Sequence, residues 1–98
     1  MNQLLILASI LERDVLRFTP AGIPIVSALL LHTSRQLEAG VLRLVEFEMP
    51  AIAVGEISGQ FNQATLGETL QFSGFLARKS RNSKGLVFHI LDFEASNI

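Results

Sequence analysis

Half of the basic residues in this 98-residue chain lie within one seven-residue stretch. They are Arg78, Lys79, Arg81 and Lys84, four of the eight lysines and arginines, with no acidic residue among them. On a protein of net charge −1, such a cluster still attracts a polyanion locally, because salt limits the reach of each charge to about 10 Å. The serines and the asparagine between the cations add donors suited to phosphate oxygens. The stretch therefore predicts a nucleic-acid contact, against the alternative of a solvated loop.

A second basic position lies beside an aromatic residue, Arg17 followed by Phe18, at the start of a predicted turn that ends at Pro24. Pro20 favours the second position of a tight turn, and Gly22 can adopt the positive φ that such turns often need. We expect Arg17 to contact phosphate. For Phe18, stacking on a base and packing in the core are both open.

Two further arginines, Arg35 and Arg43, are expected to join the same phosphate-binding surface. Arg43 lies between two leucines on a predicted strand, so its charged head should reach solvent while its stem covers apolar surface. A salt bridge from Arg43 to Glu46 or Glu48 is the alternative. The two glutamates are two positions apart, so a strand would direct both to one face. With no nucleophile or pocket beside them, we interpret them as surface acids that face a basic protein partner.

The remaining residue types indicate neither a metal site nor a catalytic site. The chain has no cysteine, and His32 and His89 are far apart with no second ligand at metal spacing, so neither a metal nor a cofactor is expected. Both histidines are expected to be structural. No Gly-rich phosphate loop, serine elbow or His-containing catalytic set occurs, so the chain is not expected to be an enzyme.

The apolar pattern predicts the elements that must position these residues, five strands in a single domain of residues 1–98. The expected strands are Leu4–Glu12, Ile23–Thr33, a third that begins at Val41, Thr69–Ala77 and Leu86–Phe93. Residues 55–65 lack strand character and allow at most a short helical turn between the third and fourth strands. This order is that of an OB-fold, an all-β, five-stranded Greek-key barrel that binds single strands through its middle strands and the loops after strands one and four. Here those loops are Arg17–Gly22 and Arg78–Lys84.

Details within the strands give further expectations. The first strand is apolar at odd and even positions, so burial on both faces is expected. The inward set of the second strand is either Ile25, Ser27, Leu29 and Leu31 or Val26, Ala28, Leu30 and His32. A slip in the alternation near Val45 predicts a bulge. Pro50 should end pairing or mark a strand edge, and Gly74 predicts a bend or a close backbone approach.

The apolar content predicts association with a second copy. Hydrophobic residues make up 49% of the chain, whereas a domain of this size buries only roughly 60–65% of its unfolded surface. A homodimer would cover the surplus, mainly along the first strand. Neither a signal peptide nor an apolar run of membrane-spanning length is present, so a cytoplasmic protein without membrane contact is expected.

The turns and loops also carry a resemblance to a known family. Arg17–Gly22, preceded by Asp14, resembles the first corner of bacterial single-stranded DNA-binding proteins. Gly22–Pro24, His32, Glu38–Gly40, Met49–Pro50 and Ser73–Phe75 extend the resemblance over nearly the whole chain, to the primosomal replication protein N family, a short branch of those proteins. The resemblance implies a dimeric OB-fold protein of replication restart. Such a protein binds single-stranded DNA and bridges the primosomal helicase to later primosome proteins.

The chain departs from that family at one position. Where the family can carry a stacking aromatic before Phe47, this chain has Glu46, and it contains neither Trp nor Tyr. Base stacking contributes about 1–3 kcal/mol per base, so we expect weaker and more salt-sensitive DNA binding, carried mainly by the basic loop. The alternative hypothesis is a protein–protein interaction module with residual DNA contact.

Overall fold

The computed structural model describes residues 1–96, which form six strands and one helix. The elements are β1 (Leu4–Arg13), β2 (Arg17–Phe18), β3 (Pro24–Glu38), β4 (Val41–Val54), α1 (Ile57–Gln63), β5 (Thr69–Arg78) and β6 (Leu86–Ala95). The five long strands are those that the sequence predicts, except that β3 continues past the predicted end at Thr33 to Glu38. The two-residue β2 is an addition, which pairs with the start of β3 and extends the predicted corner.

The long strands close into a barrel. Their order is β1-β5-β6-β4-β3, and β1 also pairs with β3, so each long strand has two neighbours. Every pairing between them is antiparallel except β4 with β6, which is parallel. The predicted all-β, five-stranded OB-fold is confirmed.

The barrel interior is filled from alternate positions of each strand and closed by the helix. In β3 the inward residues are Val26 and Leu30, which settles the alternative that the sequence leaves open. The helix buries Phe61, whose ring meets Phe72 and Phe93 edge-on at 6.2 and 6.0 Å between centroids. At seven residues the helix has about two turns, slightly more than the single turn expected.

Gly74 lies where two backbones come close together, as its position in a strand predicts. A Cβ built on it would lie 1.9 Å from the carbonyl oxygen of His89 on β6. The β5–β6 register shifts between Ser73 and Gly74, which leaves one extra residue on β6. Only glycine fits this contact, because any side chain would overlap a backbone oxygen.

Two expectations about the strands need correction, and the structure decides between the two alternatives for Pro50. The β3–β4 register runs without a break from Ile25 opposite Val54 to Glu38 opposite Val41, so the bulge predicted at Val45 is wrong. Pro50 pairs with Leu29 of β3, so it does not end this pairing. On its other side β4 pairs with β6 only from Ala51 onward, so Pro50 lies at an open edge, which agrees with the second alternative. In the single chain β1 is not buried on both faces, because Leu5 on its outer face is 63% exposed.

The β3–β4 hairpin is longer than the barrel. Residues His32–Glu38 of β3 and Val41–Phe47 of β4 pair only with each other, and we call this two-stranded ribbon the arm. The arm contributes to the elongated shape of the molecule, 51 × 34 × 24 Å. Within the described part of the chain, no helix is long and apolar enough to cross a membrane.

Candidate nucleic-acid interface

The connection between β1 and β3, residues 14–23, is a structured corner that we call the first loop. The amide of Gly22 donates to the carbonyl of Thr19 at 2.8 Å, and Gly22 has φ 84°, so the predicted tight turn with Pro20 in its second position is confirmed. Arg17 donates from Nη1 to Ser27 Oγ at 3.1 Å, which holds the arginine over the outer face of β3. Phe18 is 66% exposed, so the core-packing alternative for it is wrong.

The connection between β5 and β6, Lys79–Gly85, is the second loop. It is closed at its base by Lys79 N–H donating to Gly85 O at 3.0 Å, and Gly85 N–H donates to Ser83 Oγ at 2.9 Å. The four predicted cations, one at the end of β5 and three in this loop, are all exposed: Arg78, Lys79, Arg81 and Lys84. Among residues 1–96 none of the four side chains has an ion-pair partner. Their charges are therefore available to a ligand.

The two loops border one depression on the barrel surface. Lys79 of the second loop and Asp14 of the first loop both line it, together with Glu12 at the end of β1. Its floor includes Ser27, the residue that Arg17 contacts. Leu29 and Pro50 complete the floor from the outer faces of β3 and β4. We call this depression the cleft. The two acids make its rim mixed in charge, with the surplus of cations on the second loop.

The two predicted arginines of the arm lie on opposite faces. Alternation along β3 places Arg35 on the same outer face as Ser27 of the cleft. Arg43 lies opposite Gln36 on the other face, where its Nε contacts Glu38 Oε1 at 2.7 Å. The alternative for Arg43, a salt bridge to Glu46 or Glu48, is wrong in its partner, since the salt bridge is formed with Glu38. Both partners are well exposed, so the pair contributes little to stability.

The predicted surface acids share the outer face of β4, Glu46 in the arm and Glu48 just beyond it. Glu46 lies opposite Thr33, whose hydroxyl donates to Glu46 Oε2 at 3.3 Å, and Glu48 lies opposite Leu31. Neither carboxylate has an ion-pair partner within the described residues. Because both belong to the same face of β4 as Pro50, an acidic patch adjoins the floor of the cleft.

One histidine has the structural role that the sequence predicts. His32 Nδ1 donates to the carbonyl of Leu7 at 2.6 Å, since that oxygen can only accept, and Nε2 accepts from Ser34 Oγ at 2.7 Å. The ring thus ties the base of the arm to β1. No group of three His, Asp or Glu side chains that could hold a metal ion occurs among residues 1–96.

Arg13 has a role that the sequence analysis misses. Its Nη1 donates to the carbonyls of Phe61 and Ala64, at 3.0 and 2.6 Å, and so satisfies two acceptors at the end of α1. A cation at this end of a helix is also favoured by the helix dipole. No local pattern signals the contact, because the partners are 48 and 51 positions away.

A closed five-stranded barrel with one short helix between its third and fourth long strands is an OB-fold. The chain belongs to a family described as "another single-strand binding protein family", whose model matches residues 2–92. The description of this family names single-strand binding, which agrees with the expectation of a binding protein.

Within this family the chain is similar to replication restart proteins. It is 40% identical to the replication restart protein PriB of Nitrosomonas europaea over 93% of this chain and 84% of that protein. The PriB of Bordetella pertussis is 38% identical over 92% of this chain and 84% of its own length. These matches confirm the resemblance to the primosomal branch.

Solved structures agree with this grouping. PriB from Ralstonia solanacearum is 41% identical and superposes with a TM-score of 0.89, covering 97% of both chains. The single-strand-binding domain of a Synechococcus protein has a TM-score of 0.73 over 96% of this chain and 94% of its own. At 13% identity this second likeness shows the shared fold alone.

Proposed function

We propose that this protein binds single-stranded DNA in the cleft and acts as an accessory protein in replication restart. The observation that carries the proposal is that Lys79 of the second loop and Asp14 of the first loop line one depression. An extended polynucleotide that enters between the loops would meet cations from both. The similarity to replication restart proteins and the single-strand-binding family support the same role.

Electrostatic contacts would provide most of the affinity. The residues proposed to contact phosphate are Arg17, Arg35, Arg78, Lys79, Arg81 and Lys84, with Arg43 as a further contact from the other face of the arm. Phe18 is exposed beside Arg17 and is proposed to stack on a base. Since the chain has neither Trp nor Tyr, and the family resemblance implies a stacking aromatic where Glu46 lies, binding should be weak and strongly dependent on salt.

The adaptor part of the proposal concerns the acidic patch. Glu46 and Glu48 have no cationic partner within residues 1–96 and repel DNA, so they suit a basic surface on another protein. The primosomal helicase and later primosome proteins are the proposed partners. The second candidate function is a protein–protein interaction module in which DNA contact is residual, and the unpaired acids beside the cleft favour it.

Reversal of the second-loop charges separates the two functions. Arg78, Lys79, Arg81 and Lys84 are changed together to Glu, and oligonucleotide binding is measured beside stimulation of the helicase. We expect DNA binding to be lost, because four attractive contacts become repulsive. Unchanged DNA affinity would contradict the DNA-binding proposal. Helicase stimulation that survives without DNA binding would make the interaction module the main function.

We further propose that the protein is a homodimer joined along β1. Only Ser9–Arg13 of this strand pairs with β3, so the edge of Leu4–Ala8 away from β5 has no strand partner among the described residues. An open edge with an exposed apolar side chain such as Leu5 suits pairing with a second copy. Two clefts on one dimer would increase avidity for a strand that reaches both. Replication restart would take place in the cytoplasm.

A further inference from the structure

Two aromatic rings lie face to face on the outer surface of β5 and β6. Phe75 and His89 are directly opposite each other in the strand register. Their ring centroids are 4.7 Å apart and their planes are 11° from parallel, which is a stacked pair. The structural role expected for His89 from the sequence does not explain an outward-facing pair.

The stacked pair belongs to the same continuous surface as the cleft. Across the sheet, His89 is in register with Ile52 of β4, and Ile52 is in register with Ser27 of β3. Ser27 lies in the floor of the cleft and accepts the hydrogen bond from Arg17. One row of outward side chains therefore runs from the first loop to the two rings.

The second loop begins next to the same rings. Two residues beyond Phe75 and two before His89, Ala77 and Val87 form the neighbouring outward pair. The next positions, Arg78 and Leu86, are the strand residues at the base of the loop. The two rings thus lie beside the root of the cationic loop.

Both residues of the stacked pair keep part of their surface exposed. Phe75 and His89 are half-buried, and the two rings stack on each other. The ring nitrogens of His89 have no hydrogen-bond partner among residues 1–96, while every buried side-chain nitrogen there has one, so they reach solvent. A flat apolar surface with an accessible donor or acceptor is suited to a nucleobase, which stacks through its face and hydrogen-bonds through its edge.

We propose that Phe75 and His89 form a base-stacking platform for single-stranded DNA at the end of the cleft, beside the second loop. This inference rests on the proposed DNA-binding function. The platform would supply a stacking surface in a chain that has neither Trp nor Tyr. A strand held by the loop cations through its phosphates would place a base against these rings.

A pair of oligonucleotides isolates the contribution of the bases. Fluorescence polarisation compares a labelled oligothymidine with an abasic strand of equal length, which keeps the phosphates and removes the bases. The protein should prefer the thymidine strand by at least about fivefold, the lower value expected for one stacked base. Because Phe18 is a second proposed stacking residue, Phe75→Leu, which keeps apolar bulk without an aromatic face, should lower that preference by about fivefold and leave abasic binding unchanged.

Phe47→Leu is the matched control, because Phe47 is an aromatic residue of the arm on the face opposite to the cleft. It should keep the preference for bases.

If circular dichroism shows that Phe75→Leu is unfolded, the same comparison of oligonucleotides is made with His89→Leu. An unchanged preference for the thymidine strand in the folded variant would overturn the platform. Dissociation of the protein on His89→Glu, measured by sedimentation without DNA, would show that a second copy of the chain covers the rings, and would overturn it as well. If second-loop charge reversal leaves both oligonucleotides bound, the DNA-binding proposal itself fails.

Discussion

The eight lysines and arginines of this chain divide into groups that the sequence alone does not distinguish. Arg13 is held by two carbonyls at the end of α1, and Arg43 is paired with Glu38 on the arm. Arg17 contacts only the hydroxyl of Ser27 and keeps its charge uncompensated by any acid among the described residues. The clustering of the second-loop cations is visible in the sequence, whereas the partners of isolated arginines depend on distant parts of the fold.

Gly74 offers a stability test at the scale of one residue. Gly74→Ala places a methyl group within 1.9 Å of the His89 carbonyl oxygen, so β5 and β6 must separate. We expect a loss of about 3 kcal/mol in the free energy of unfolding, measured by urea denaturation. Gly59→Ala is the control, since nothing lies within 4 Å of a Cβ there and alanine favours the helix. Equal stability of the Gly74 variant and the unmodified protein would contradict the close approach.

At the scale of elements, the arm shows why an apolar pattern can mislead. Apolar residues occupy Leu42 and Leu44 and then change phase to Val45 and Phe47, which suggests a bulge. The register is continuous, and the apolar phase changes because β4 runs from the arm into the barrel. Near the tip no core selects the apolar face, so Leu42 and Leu44 are exposed on the outer side. Inside the barrel, the inward or outward direction of each strand residue is predictable, because the core always buries one face of the strand.

The turn at the tip of the arm gives a second prediction. Ala39 has φ 51°, a left-handed conformation that costs a residue with a Cβ about 1 kcal/mol or more. Ala39→Gly should therefore stabilise the arm, with slower hydrogen exchange of the paired amides in β3 and β4. Ala21→Gly in the first loop is the control, because Ala21 is not left-handed and glycine there adds only unfolded-state entropy. Faster exchange in the Ala39 variant would contradict this account.

For the whole molecule, strand order and the two cationic loops are predictable because each depends on local apolar runs and turn residues. Closure of the barrel then brings the loops to one depression, which no local pattern encodes. The stacked Phe75 and His89 are missed for the same reason, since 14 positions separate them along the chain and only the register of β5 and β6 pairs them. Local patterns in the sequence do not determine which distant strands pair or in what register.

The proposed dimer is tested at this scale by Leu5→Glu. A charge on the outer face of β1 would have to be buried in the seam, so we expect dissociation to monomers in sedimentation velocity. Leu66→Glu is the control, because Leu66 is comparably exposed at 52% but lies in the turn before β5. A monomeric unmodified protein, or a dimer unaffected by Leu5→Glu, would contradict the β1 seam.

The central claim is that both loops hold one strand of DNA, and the salt dependence of oligonucleotide binding tests it most directly. Affinity is measured over a range of salt concentrations for the unmodified protein, Arg17→Gln, Lys79→Gln and the double variant. Each lost phosphate contact should reduce the slope of log affinity against log salt by about 0.7, and the double variant should lose about 1.4. A flat salt response, or a slope that neither substitution changes, would contradict the account.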